Sequence, residues 1–117
     1  MASSSSGAST ANFAITIESP GCGDSSVWAT PVSGRVFCAK HDPVQIMVLA
    51  ADGMWYPQPR VVRQGHHYQG LAYLGWETNP NSPTYTIAAG VGGCYITEVV
   101  KELPMDVLWT KVKVGRI

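Results

Sequence analysis

The stretch VQIMVLAADGMWYPQP, residues 44–59, decides the fold class. From Val44 to Ala51 nearly every position is apolar, with no spacing of three or four that would confine the apolar side chains to one stripe of a helix. A run of about eight such residues bounded by turn formers fits a strand covered on both faces, so this segment is expected in the middle of a sheet. Asp52 and Gly53 then supply a short turn. Beyond Trp55 and Tyr56, Pro57 and Pro59 end sheet pairing because proline has no amide hydrogen to donate.

Working outward, other segments show the period of two that a half-buried strand requires. Phe13, Ile15 and Ile17 alternate with Ala14 and Thr16, and the SPGCGDSS stretch breaks the pattern. Short strands are expected at Val27 to Ala29 and Val32 to Cys38, and a short strand and turn within Arg60 to Gly65. Longer ones follow at Tyr68 to Trp76 and Tyr85 to Val91, and the last at Leu108 to Val114 carries Lys111 and Lys113 on its outer side. Ile96, Val99, Val100 and Leu103 instead follow a three-or-four spacing, which predicts a short helical turn closed by Pro104. Short strands separated by Gly, Pro and Asn turns predict an all-β fold, a single antiparallel β-sandwich of seven to eight strands. Residues 1–12 read as a flexible Ser/Gly/Ala-rich tail and residues 13–117 as the domain.

Composition narrows the function. The 117 residues include eight Lys plus Arg and eight Asp plus Glu, so no net field gathers a polyanion and a nucleic-acid partner is not expected. The apolar run at residues 44–51 is far short of the roughly twenty residues of a spanning helix, so no membrane span is expected. The amino terminus has neither a basic region nor an apolar run of the signal-peptide kind. Localisation stays open: extracytoplasmic if an upstream signal was removed, cytoplasmic otherwise. Only 14% of residues are charged, against about 25% in an average domain. Open sheet edges on so neutral a surface leave a homo-oligomer among the alternatives.

The segments Val32 to Gly34 (VSG), Tyr56 to Gln58 (YPQ), Tyr73 to Gly75 (YLG) and Tyr85 to Ala89 (YTIAA) come in this order along the chain. Together they resemble a bacterial immunoglobulin-like domain over about Ile15 to Val114. The resemblance implies an immunoglobulin-like sandwich with a helical excursion before the last strand. It also implies an accessory or interaction role with no shared catalytic residues to carry over. The chain departs from the antibody pattern of an inter-sheet disulfide packed against a tryptophan. In the implied topology Cys38 and Cys94 reach the same pole, where they either form a disulfide in an oxidising compartment or stay as thiols; Cys22 is then left over.

Candidate chemistry is sparse. Cys38 and His41 form a CxxH pair to which Cys94, His66 and His67 are possible additions, but a structural zinc site usually shows two close ligand pairs, so no metal and no cofactor are expected. The acids are scattered, Glu18, Asp24, Asp42 and Asp52 lie in or beside turns, and no Ser, His and acid set is visible from spacing, so the chain is not expected to be an enzyme. Trp28, Trp55, Tyr56, Tyr73 and Trp76 offer flat apolar area, needed partly for the core. Trp55 and Tyr56 differ because they sit beside a turn and two prolines. With Pro57 and Pro59 they are expected to form an exposed stiff ridge that binds another macromolecule, either a protein or, by ring stacking, a glycan.

Overall fold

In the computed structural model, residues 14–37, 43–75, 84–92 and 95–116 are described. They form nine strands and no helix: β1 (Ala14–Ile15), β2 (Ser25–Ser26), β3 (Ala29–Phe37), β4 (Val44–Leu49), β5 (Trp55–Pro57), β6 (Val62–Gln64), β7 (His67–Tyr73), β8 (Thr84–Val91) and β9 (Leu108–Arg116). Two sheets face each other. One has five strands in the order β2-β9-β8-β4-β5, the other four in the order β1-β3-β7-β6. The chain is therefore an all-β two-sheet sandwich.

The alternation read from the sequence sets which side chains meet between the sheets. Val32 and Val36 of β3, Tyr68 and Ala72 of β7, Val44, Ile46 and Val48 of β4, Tyr85, Ile87 and Ala89 of β8, and Val112 and Val114 of β9 form one buried cluster. β4 pairs with β8 on one side and β5 on the other, and it is buried on both faces, as its unbroken apolar run predicts. Gly34 is required by a close approach. A Cβ there would lie 1.9 Å from the carbonyl oxygen of Thr16, where the chain beyond β1 still runs along β3.

Three local expectations change. The sandwich is not wholly antiparallel: past Ser19 the chain leaves β3, turns at Gly21 to Asp24, and β2 runs parallel to β9. Val27 is an exposed connector rather than a strand residue, because β3 begins only at Ala29. The helical turn expected at Ile96 to Leu103 is absent. That segment is irregular, with bends, and packs on the outer face of the five-stranded sheet, where Val100 exchanges both backbone hydrogen bonds with Trp55. Ile96, Val100 and Leu103 pack on Met47, Trp55 and Ala88, so the spacing marks residues that face the sheet, while the Val100 bridge and the Gln45 side chain at the Ile96 amide hold the segment in place of helical bonds.

Candidate functional site

β4 and β5 are joined by a turn in which Gly53 takes a φ of 81°, the left-handed region that glycine adopts at little cost. The Asp52 carboxylate accepts a hydrogen bond from the Met54 amide at 2.9 Å, closing the turn, and another from the Tyr56 hydroxyl. The Tyr56 hydroxyl, then the Met54 amide, hold the Asp52 carboxyl below its ordinary pKa; in return Asp52 pushes the Tyr56 hydroxyl up. The Tyr56 ring is thereby fixed by its far end.

Trp55 and Tyr56 lie in a strand, so their side chains leave on opposite faces. This overturns the expectation that they form one exposed pair. Trp55, 8% exposed, points to the outer face, where Met47 and Ala88 flank it and the Lys111 ammonium sits 5.8 Å from its ring centre. Tyr56, 36% exposed, points to the inner side at the sheet edge.

There it lines a cleft of about 380 Å³ with Val48, Ala50, Pro57, Gln58, Pro59, Tyr73, Gly75 and Tyr85. The walls come from both sheets, and Gln58 ties them together. Its Nε2 donates to the Tyr56 carbonyl at 3.0 Å, and its Oε1 accepts from the Tyr73 amide at 2.7 Å. β6 pairs with β7 only at His67 to Gln69, so further along β7 the Tyr73 amide has no strand partner on that side, and the glutamine supplies one. Tyr73 is steadied on its other flank by the Trp28 ring, 5.0 Å away between centres, while Trp28 Nε1 donates to the Gly75 carbonyl at 3.1 Å.

Of the expected ridge, Tyr56, Pro57 and Pro59 thus share one cleft and Trp55 does not. Gln58, Tyr73 and Tyr85 complete the lining. The cleft is mostly apolar, and the polar groups of Gln58 and Tyr56 are already engaged within the chain. A second groove, of about 430 Å³, is polar: Glu18, Ser33, Gln64, His67 and Gln69 line it with Gly34, Val62 and Tyr68, and Tyr68 is 1% exposed with its hydroxyl bonded to the Thr16 carbonyl at 2.6 Å.

Of the other described candidates, His67 lines the polar groove, while His66 and Cys22 line neither feature. His66 stacks on Phe37 with ring centres 5.3 Å apart, and its Nδ1 lies 3.2 Å from the Val36 carbonyl. Cys22 is an exposed free thiol. Cys38, His41, Asp42, Trp76 and Cys94, and with them the Cys38–Cys94 disulfide and the CxxH pair, lie outside the described residues. Among the described residues no three His, Cys, Asp or Glu side chains come close enough to hold a metal ion. No helix among them is long and apolar enough to cross a membrane.

No protein-family model and no curated protein matches the chain. Among solved structures it is similar to a crystal structure of an engineered protein, with a TM-score of 0.59 and 19% identity over 90% of this chain and 20% of that one. The chain thus spans about a fifth of that protein's length, and at this identity the likeness concerns the fold alone.

Proposed function

We propose that this chain is a non-catalytic immunoglobulin-like module that binds another protein through the cleft between β5 and β7. The strand order supports the immunoglobulin-like part. Lettered A, A′, B, C, C′, D, E, F, G along the chain, the two sheets read ABED and A′GFCC′, the arrangement of that sandwich family with an added C′ strand.

The observation that carries the binding part is the chemistry of the cleft lining. Tyrosine rings and prolines bury apolar area at small ordering cost. A sugar needs donors and acceptors aimed at its hydroxyls, and here both ends of the Gln58 amide and the Tyr56 hydroxyl are already bonded within the chain. An apolar side chain makes no such demand. The carbohydrate-binding alternative is better served by the polar groove of Glu18, Gln64, His67 and Gln69, but its one aromatic residue, Tyr68, is buried and offers no stacking face.

The test is a two-arm binding screen of the intact chain against short random displayed peptides and an oligosaccharide array, each repeated with Tyr56→Ser. Peptide enrichment lost in the variant supports a protein partner at the cleft. Saturable oligosaccharide binding that survives Tyr56→Ser and is lost on Gln69→Ala instead establishes the carbohydrate reading.

A further inference from the structure

We propose that the cleft takes an extended peptide segment whose proline or aliphatic side chains seat among Tyr56, Pro59 and Tyr73, and whose neighbouring lysine or arginine meets Asp52. This rests on the reading of the cleft as a protein-binding site and names the partner's chemistry.

The charge at the rim is the first argument. None of the residues lining the cleft is charged, and the acidic group tied to the lining is Asp52, a solvent-exposed carboxylate whose place is set by its bonds to Tyr56 and Met54. Each carboxylate oxygen spends one acceptor site on those bonds and keeps another. Among the described residues no lysine or arginine is paired with Asp52; the ion pair there is Arg35 with Glu18, on the other sheet. Two of the arginines have contacts of their own away from Asp52. The Arg60 guanidinium lies 5.6 Å from the Tyr95 ring centre, and Arg116 Nε donates to the Leu74 carbonyl at 3.1 Å.

Backbone chemistry is the second. A peptide adding itself as a strand needs free main-chain groups along an edge. At the cleft, Gln58 occupies both the Tyr56 carbonyl and the Tyr73 amide, and Val100 occupies the outer edge of β5 at Trp55. At these positions strand addition finds the main-chain groups taken, so recognition there goes through side chains. A polyproline II segment makes no internal hydrogen bonds and is already ordered, and aromatic-lined grooves recognise it in this way. About 380 Å³ is enough for a few such side chains and sits at the small end of ligand clefts, roughly 300–1,000 Å³.

The experiment selects short random displayed peptides on the intact chain, with Tyr56→Ser and, separately, Pro59→Ser as counter-selections. The affinity of an enriched peptide is then measured on Asp52→Asn at low and high salt. In asparagine, Oδ1 still accepts from the Met54 amide and Nδ2 donates to the Tyr56 hydroxyl oxygen in place of the bond Asp52 accepts, so the substitution removes the charge and keeps the turn closed. Enriched peptides sharing proline or aliphatic residues beside a lysine or arginine are expected. Asp52→Asn should weaken them about two- to fivefold at low salt, the range of an exposed ion pair, and flatten the salt dependence. Peptides lost in Tyr56→Ser but lacking a basic residue, or bound equally by Asp52→Asn, overturn this inference and leave the cleft reading intact. No enrichment, or enrichment indifferent to Tyr56 and Pro59, overturns both.

Discussion

Gln58 holds the cleft's two walls together with one amide, and removing it leaves the Tyr73 amide without a partner. Gln58→Ala is expected to cost about 1–2 kcal/mol in urea unfolding and to speed hydrogen exchange at Tyr73. An unchanged Tyr73 exchange rate argues against the clamp. Gly34 is the more severe position, because the atom that meets its added Cβ is backbone, the Thr16 carbonyl oxygen, and cannot swing away. Gly34→Ala is expected to lower stability by about 3 kcal/mol, at the upper end of overpacking costs. Tyr68 makes stability pH-dependent in a definite direction. Burial first, and the Glu18 charge second, push its hydroxyl well above its usual value of 10.0. Its contribution is therefore whole below about pH 10 and is lost as the pH climbs toward the folded value. Tyr68→Phe should flatten the fall in unfolding free energy on that alkaline limb. At this scale the sequence is only partly legible. The period of two puts Tyr68 on the inner face of its strand, but nothing beyond two flanking prolines marks Gln58. A loop glutamine is ordinarily solvated, and only the arrival of β7 beside β5 gives its amide two backbone partners.

Residues 95–107 form the element that the sequence describes least well, because its three-or-four spacing matches a helix and its environment does not provide one. The outer face of the five-stranded sheet holds it at three places. Ile96 N donates to the buried Gln45 Oε1 at 2.8 Å, Val100 bridges to Trp55, and Trp109 Nε1 donates to the Pro104 carbonyl at 2.9 Å. Ile96, Val100 and Leu103 lie against the sheet while Val99 is 44% exposed, so three of the four spaced residues do mark an apolar face. Gly90 opens the space for the third anchor: a Cβ there would sit 2.5 Å from the Trp109 ring, its cross-strand neighbour. Gly90→Val is expected to displace the ring, shift tryptophan fluorescence toward the red and cost about 2 kcal/mol, within the range for overpacking. Hydrogen exchange should find the Ile96 and Val100 amides protected and those of Thr97 to Val99 fast. β4, by contrast, is legible from sequence alone, since an apolar run buried on both faces depends little on which elements cover it.

The whole sandwich matters to the cleft because its walls belong to different sheets: Val48, Tyr56 and Tyr85 come from one, Tyr73 from the other. The class of fold follows from short strands and turn residues. The parallel pairing of β2 and the cleft itself depend on long-range docking that no local pattern records. A ligand that bridges the two sheets stabilises the native state, by about 2.7 kcal/mol at one hundred times its dissociation constant. Gln58→Ala should weaken such binding along with stability. Asp52→Asn should weaken binding while leaving unfolding nearly unchanged at neutral pH, since the carboxylate is exposed. The central claim is that the β5–β7 cleft is where a protein partner sits. Its most direct test is to follow the backbone amide resonances of the isotope-labelled chain while adding a peptide enriched on it. The account predicts saturating shifts at Tyr56, Gln58, Tyr73 and Gly75, with little movement at Gln64, His67 and Gln69. Shifts centred on the polar groove, with the cleft amides unmoved, would contradict it.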